Sequence, residues 1–308
     1  MSNHLVPYEY YKFIINNILI DLRSGEIFNK GSFPGAVSFP AGVFESKEHF
    51  LQAIRIKWPS QILYVFDQKE EFRRFYIDES RLIYLEGGYE NYLEWQDSIF
   101  RGGPQIFILG GKAGSGKTEL IHLLSESGEQ TLDLEHLAGH KGSVFGNLGN
   151  NFQQNNDIFL HRIFKEWISF DPGKPVWMEE EGPFLGQNVI PPVLYKRMLD
   201  ATMIELELSF RDQLDHIVRE YGNEPAENFI DAIRKLEKRM GVSANHKAIH
   251  LYSTGDLTGS FSLLLRYYDS GYEQRRSLYR KGIHHRMKIE TDSNVSSVEK
   301  LIAWRKSL

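Results

Sequence analysis

The chain contains no cysteine among its 308 residues. Disulfides, thiolate metal sites and cysteine nucleophiles are therefore excluded. No run approaches the roughly 20 apolar residues that cross a bilayer, and no basic stretch followed by an apolar one stands at the start. We therefore expect a cytoplasmic protein with no membrane contact. The formal net charge is −5, so nucleic acid would have to bind at a local basic patch.

The strongest motif is Gly111-Lys112-Ala113-Gly114-Ser115-Gly116-Lys117-Thr118, which fits G-x-x-x-x-G-K-[ST]. An apolar run at 106–109 predicts a buried strand before it, and the apolar spacing of 119–124 predicts a helix after it. Glycines let successive backbone N–H groups point at one anion. We therefore predict that a nucleotide or another diphosphate is bound by Gly111, Gly114, Ser115, Gly116, Lys117 and Thr118.

Carboxylates follow two further predicted strands, at 130–132 and 175–178. The carboxyl ends of parallel strands face the ligand crevice, so Asp133 and Glu135 are expected beside the phosphate loop, together with the run Glu179-Glu180-Glu181. Such a cluster near phosphates repels unless a metal lies between them. The sequence thus predicts Mg²⁺ at Thr118, Glu179 and Glu180, and catalytic roles for Lys117, Asp133 and Glu179. Capping of the following helix is the alternative for Asp133 and Glu135.

Two other stretches carry weaker signals. The loop from His140 to Asn147 combines a base, a cation, a hydroxyl and glycines, which suits an anion or a nucleobase edge. We predict ligand contacts from its His140, Lys141 and Ser143. Arg211 opens the amphipathic helix predicted over 212–221 and could reach a transferred group, although a surface arginine is the commoner case.

The last third is predicted to be mainly helical and basic, with tyrosines between the cations. This combination offers phosphate contacts and stacking surfaces for single-stranded bases, and a solvated cationic helix face is the alternative. The candidate RNA-binding residues are Arg266, Tyr268, Tyr272, Arg275, Arg276 and Arg280.

Two α/β domains are predicted. Residues 1–101 alternate short strands and helices, Gly102-Gly103-Pro104 interrupts both kinds of element, and residues 105–308 form a parallel-sheet domain of the phosphate-loop type with a helical, basic C-terminal part.

The first domain resembles a rhodanese domain, on Asp21-Leu22-Arg23, Gly31-Ser32-Phe33-Pro34-Gly35-Ala36 and Leu85-Glu86-Gly87-Gly88-Tyr89. Rhodanese domains transfer sulfur or selenium through a cysteine after the central strand, and that position falls at about Asp67 here. A carboxylate cannot form a persulfide, and the glycines of the loop are missing as well. We expect a degenerate domain kept for packing or tRNA docking, in which Asp67 is inactive; Asp67 as a catalytic acid or base is the alternative.

The whole chain resembles bacterial tRNA 2-selenouridine synthases. The resemblance rests on the phosphate loop, Asp133-Leu134-Glu135, His140-Lys141-Gly142-Ser143 with Phe145-Gly146, Val176-Trp177-Met178-Glu179-Glu180-Glu181, and Tyr267-Tyr268-Asp269 with Tyr272. It implies a transferase acting on wobble 2-thiouridine, which takes a geranyl group from geranyl diphosphate and then exchanges sulfur for selenium from selenophosphate. It also implies that the phosphate loop binds the diphosphate and that the basic helices bind the anticodon arm of tRNA.

The missing cysteine sets this chain apart from the resemblance. Our hypothesis is that geranyl transfer is retained and selenation is lost; in a split arrangement, a separate rhodanese or selenophosphate-supplying protein provides the cysteine. A phosphate-loop NTPase or small-molecule kinase, and a non-catalytic tRNA-binding protein, are the alternatives.

Overall fold

A computed structural model of the chain describes residues 4–5, 17–30, 32–33, 35–68, 80–140, 155–222, 225–279, 285–288 and 294–307. The strands are β1 His4–Leu5, β2 Ile18–Asp21, β3 Val37–Ser38, β4 Leu63–Phe66, β5 Leu82–Leu85, β6 Ile106–Gly111, β7 Gln130–Leu132, β8 Val176–Glu179, β9 Phe184–Leu185, β10 Asn188–Val189, β11 Thr202–Glu207 and β12 His285–Lys288. The helices are α1 Gly25–Lys30, α2 Lys47–Lys57, α3 Gly88–Arg101, α4 Lys117–Glu126, α5 Leu134–Ala138, α6 Asn156–Ser169, α7 Pro192–Asp200, α8 Phe210–Tyr221, α9 Ala226–Arg234, α10 Glu237–Met240, α11 Val242–Ser253, α12 Leu257–Tyr279 and α13 Asn294–Lys306.

The chain divides into two compact units. The first holds residues 1–102 and 155–164, and the second holds 103–154 and 165–308. Helix α6 therefore contributes its first turns to one unit and its last turn to the other. No local sequence signal marks this exchange.

The first unit is built on a five-stranded sheet in the order β1-β5-β4-β2-β3, and every pair is parallel. Its central strand, β4, is apolar at every position because both faces are covered. Val65 packs with Phe50 and Ile54 on one face, and Phe66 packs with Tyr89 on the other. The continuous apolar run at 63–66 is thus the pattern of a central parallel strand.

The Gly87-Gly88 turn brings the start of α3 against the end of β4. Gly88 has φ +65°, and a Cβ there would lie 2.5 Å from the carbonyl oxygen of Asp67. The close approach lets the Tyr89 N–H donate to that oxygen at 2.9 Å. Only glycine combines the left-handed conformation with this contact.

The second unit is built on a five-stranded parallel sheet in the order β12-β11-β6-β8-β7. Helices α4 and α13 cover one face, where Leu120, Ile121 and Leu301 pack on Phe107 and Trp177. A separate helical core forms around Phe229, Tyr252 and Phe261. The predicted α/β class with parallel sheets is confirmed.

One part of the predicted helical region is different. Residues 285–288 form the edge strand β12, which pairs with β11 from Ile204↔His285 to Glu207↔Lys288. Their polar sequence carries no strand pattern, and pairing with a distant strand decides their conformation. In the part of the chain that the structure describes, no helix is long and apolar enough to cross a membrane.

Candidate functional site

The phosphate loop follows the central strand of the second sheet. β6 lies between β8 and β11, so the loop stands where the strand order reverses, the usual ligand crevice of such sheets. Gly114 has φ +72°, and a Cβ there would lie 2.7 Å from the carbonyl oxygen of Gln213 on α8. The motif therefore needs this glycine both for its turn and for the close approach of α8.

Lys117 is the first residue of α4 and turns back over the loop. Its Nζ donates to the carbonyl oxygens of Gly111 at 2.9 Å and of Lys112 at 3.2 Å. These acceptors are neutral, and the described part of the chain offers Lys117 no salt bridge. Its positive charge therefore stays available to an anion held by the loop.

The carboxylates at the end of β8 approach the loop from the neighbouring strand. Glu179 is 5% exposed and accepts a hydrogen bond from the Thr118 hydroxyl, while its Oε1 finds no partner among the described residues. Burial raises the pKa of Glu179, and the charge of Lys117 opposes the rise. A buried carboxylate oxygen without a donor among the described residues is an unused acceptor next to the loop.

Glu135 and Glu181 stand beside Glu179 and are hydrogen-bonded to each other. Burial raises the pKa of Glu135, and the charges of Glu181 and Glu179 raise it further. The pKa of Glu181 is also raised by burial and by Glu179. Both carboxyls thus resist full ionisation in this cluster, and Lys117 is the cation that works against the shift in each.

Few side-chain oxygens are available for the predicted Mg²⁺ in the described part of the chain. Among the described residues, no group of three or more His, Asp or Glu side chains is arranged to hold a metal ion. The orphaned Oε1 of Glu179 and the adjacent Thr118 hydroxyl nevertheless fit the usual mode for Mg²⁺, with few protein ligands and the remainder from water and phosphate. Glu180 instead accepts from the Tyr272 hydroxyl at 2.9 Å.

Asp133 makes two contacts, one through each carboxylate oxygen. Its Oδ1 accepts from the His136 N–H at 2.8 Å and so caps α5. Its Oδ2 lies 2.9 Å from Nε2 of His122, a residue of α4. The capping alternative therefore holds for Asp133, whereas Glu135 belongs to the carboxyl cluster. His140, just after α5, is buried, and burial lowers its pKa.

A cavity of about 510 Å³ opens between the phosphate loop and α8. Its lining comprises Gly114, Ser115, Gly116, Lys117, Thr118, Glu119, Leu120, His122, Leu208, Asp212, His216, Arg219 and Glu220. The α8 wall therefore presents Arg219. Arg211 is exposed and does not belong to this lining; α8 begins at Phe210, with Ser209 as its N-cap.

Helix α12 contacts the phosphate loop from a further side. Lys112 Nζ lies 3.6 Å from Asp269 Oδ2 and 3.4 Å from Glu273 Oε1. Tyr272 lies on the same helix face and donates to Glu180, as described above. The Tyr267-Tyr268-Asp269 and Tyr272 motif is thus a docking face for the loop and for the end of β8.

The predicted RNA-binding residues fall into separate environments. Arg266 is exposed, and its guanidinium lies 4.8 Å from the centre of the Phe210 ring. Tyr268 and Tyr272 are half-buried. Arg275 and Arg276 belong to α12, but their side chains, like Arg280, Lys141 and Ser143 as a whole, lie outside the described residues. Their predicted roles stay predictions.

Asp67 stands directly after β4 and is fully buried. The Tyr84 hydroxyl approaches its Oδ1 at 3.4 Å. The nearby arginine, Arg23, is occupied by Asp21, with Nη2 2.7 Å from Oδ2.

The sequence prediction missed His122, Glu181 and the α8 wall. His122 follows Thr118 by four positions, so helical spacing already places both on one face of α4. Glu181 was part of the acidic run, but only the fold shows that it meets Glu135. The partners of Lys112 had no signal, because they lie more than 150 positions away.

Comparison with known proteins covers both units. A family model described as "tRNA 2-selenouridine synthase AAA domain" matches residues 104–251. Proteins named tRNA 2-selenouridine synthase are 26% identical in Shewanella sediminis, covering 84% of this chain and 78% of that protein, and 25% identical in Shewanella woodyi, covering 93% and 97%. The corresponding protein of Sulfurovum is 26% identical and covers 76% and 78%.

Solved structures resemble the chain only distantly. The tRNA isopentenylpyrophosphate transferase of Bacillus halodurans is 12% identical, covers 65% of this chain and 96% of its own, and gives a TM-score of 0.35. A likeness at this level carries no functional argument.

The resemblance stated from the sequence is confirmed by the family model and by the relatives. This match supports membership of the chain in the tRNA 2-selenouridine synthase family.

Proposed function

We propose that the protein is a tRNA-modifying transferase that binds an allylic diphosphate at its phosphate loop and alkylates the sulfur of wobble 2-thiouridine. Geranyl diphosphate is the donor that the family resemblance implies, and the anticodon arm of tRNA is the acceptor. The name of the relatives, tRNA 2-selenouridine synthase, supports a tRNA substrate.

The observation that carries the proposal is the phosphate loop inside the family-matched segment, with Lys117 free of carboxylate salt bridges in the described part of the chain. When an allylic C–O bond ionises, negative charge develops on the departing diphosphate. The loop N–H groups, the start of α4 and Lys117 would stabilise that charge, which is most effective when the donors are already in place.

Thr118 and Glu179 would hold Mg²⁺, and the metal when bound would neutralise charge on the diphosphate. The loop and Lys117 orient the donor, while the carboxyl cluster keeps a proton within reach. Asp133 and Glu179 therefore stay candidates for positioning and metal binding, respectively.

We further propose that selenation is lost from this chain. The chain has no cysteine, and Asp67 at the end of β4 is fully buried with Tyr84 beside it. A buried carboxylate cannot attack a selenium donor or carry a persulfide. A partner protein would have to supply that chemistry.

The test incubates the purified protein and Mg²⁺ with tRNA containing 2-thiouridine and geranyl diphosphate, and in parallel with ATP alone. Mass spectrometry of the nucleosides should show geranylated 2-thiouridine, and ATP should remain intact. Steady ATP hydrolysis without a geranylated nucleoside would instead support the NTPase alternative. Addition of selenophosphate should yield no 2-selenouridine, and its formation by this chain alone would overturn the claim of lost selenation.

A further inference from the structure

The strongest unassigned feature is the His122–Asp133 pair at the phosphate-loop cavity. Nε2 of His122 lies 2.9 Å from Oδ2 of Asp133, and His122 lines the same cavity as Lys117 and Thr118. The side chain of His122 is 61% exposed, whereas that of Asp133 is only 16% exposed. The pair therefore has a fixed end and an end that a large substrate can reach.

Asp133 is held in place by the fold. Its second oxygen, Oδ1, accepts from the His136 N–H at 2.8 Å, so the carboxylate is fixed at the start of α5. A carboxylate can only accept, so Nε2 of His122 is the donor, which fixes the tautomer of the imidazole in its neutral form. Nδ1 then carries a lone pair and is the nitrogen that can take up a proton.

The charged groups around His122 come from several elements. Glu119 lies on the same helix, and Asp133 follows β7. Glu179 lies at the end of β8, close enough for a charged His122 to lower its pKa, and Arg219 and Glu220 line the α8 wall of the cavity. Acidic side chains therefore predominate in this setting.

We propose that His122 is the general base of the alkylation, with Asp133 as its positioning residue. The inference rests on the proposed function. In the step, the bond between the allylic carbon and the diphosphate oxygen breaks with its electron pair on oxygen. A lone pair of the 2-thiouridine sulfur forms the new C–S bond. The alkylated nucleobase has lost its N3 hydrogen, because that proton passes to Nδ1 of His122.

The exposed position of His122 in the cavity lining suits a general base for a large substrate. A nucleobase of a tRNA can reach an exposed imidazole, whereas the carboxyls of Glu135 and Glu181 are less exposed and are hydrogen-bonded to each other. The imidazolium formed in the step contacts Asp133 and lines the same cavity as the loop that holds the departing diphosphate. It can pass its proton to that product.

The test uses the full-length chain with His122→Gln, since the amide of glutamine can still donate to Asp133 but cannot act as a base. We expect kcat for alkylation to fall about 100-fold, with the affinities for inorganic diphosphate and for tRNA unchanged. The deficit should shrink as the pH rises toward the pKa of the N3–H, because ionised 2-thiouridine needs no base. The control His136→Gln changes an exposed histidine whose backbone alone contacts Asp133, and it should keep the wild-type rate.

Asp133→Asn keeps a capping side chain and should lower kcat less than His122→Gln. If wild-type protein alkylates 2-thiouridine and His122→Gln does so at the same rate, or with a deficit that is equal at every pH, the general-base assignment is wrong. If wild-type protein forms no alkylated nucleoside, the proposed function itself fails, which is a distinguishable result.

Discussion

The two units share an architecture but differ in how the cation at the carboxyl edge of the sheet is paired. Each has a five-stranded parallel sheet, and in each a glycine turn starts a helix at the carboxyl edge of that sheet. In the first unit the cation at this edge, Arg23, is buried against Asp21 and stacks on Tyr89 at 4.1 Å. In the second unit the cation, Lys117, donates only to neutral oxygens among the described residues.

The first unit has a cluster of mutually paired charges at this edge, whereas the second unit has a candidate binding site. Among the described residues at this edge of the first unit, Asp21 and Arg23 neutralise each other, so neither charge is available to a ligand. The second unit keeps a cation, a buried carboxylate oxygen without a partner, and carboxyls with raised pKa values around one crevice. Uncompensated polar groups of this kind favour the second unit as the place of the candidate site.

The largest effect expected from this comparison is on Lys117→Ala. Removing the cation should weaken binding of inorganic diphosphate on the order of 100-fold, because the loop loses a close positive charge while its N–H groups remain. Isothermal titration calorimetry measures the affinity.

Lys174→Ala is the matched control, since Lys174 is an exposed lysine of the same unit away from the cavity lining, and its affinity should equal that of the wild type. Unchanged diphosphate binding by Lys117→Ala would break the comparison, because the second unit would then have no functional cation at its loop.

The second prediction concerns Asp21→Asn in the first unit. Asp21 is fully buried and accepts from Arg23 Nε, Arg23 Nη2 and the Ser32 hydroxyl. An amide leaves the buried guanidinium without its counter-charge, which should lower the free energy of unfolding by about 3 kcal/mol. Chemical denaturation of the full chain measures it.

Glu94→Gln, an exposed change on α3, is the control and should be nearly neutral. If Asp21→Asn were equally neutral, the pairing of charges in the first unit would contribute nothing to its stability.

The sequence predicted much of this arrangement but not all of it. The phosphate loop and the strands around it follow from local pattern, because β6 and β8 are continuous apolar runs bounded by glycine or acidic residues. The edge strand β12 could not be predicted, since His285-Arg286-Met287-Lys288 becomes a strand only by pairing with β11.

The candidate site, like the fold, could be predicted only in part from the sequence. Helical spacing from Asp212 leads to His216, Arg219 and Glu220, the face of α8 that lines the cavity, and away from Arg211. The contact between Glu135 and Glu181, in contrast, joins two segments that only the sheet order brings together. Long-range electrostatics of this kind has no local sequence signal.

The smallest expected effect has the opposite sign to Asp21→Asn, although the chemical change is the same. Burial and the neighbouring carboxylates raise the pKa of Glu135 above its ordinary value of 4.5. The folded state therefore holds a proton that the unfolded state releases, and stability falls as the pH rises from about 4.5 through neutral.

Glu135→Gln removes this titration. In Mg²⁺-free buffer it should stabilise the chain near neutral pH by on the order of 1 kcal/mol or less, because Glu135 is half-buried and solvent screens part of the repulsion. The gain should vanish near pH 4, where both states of the wild type are protonated. Glu126→Gln, an exposed change at the end of α4, should give no gain at either pH. A Glu135→Gln variant that is destabilised at neutral pH would mean that this carboxylate is compensated like Asp21, and the contrast between the units would disappear.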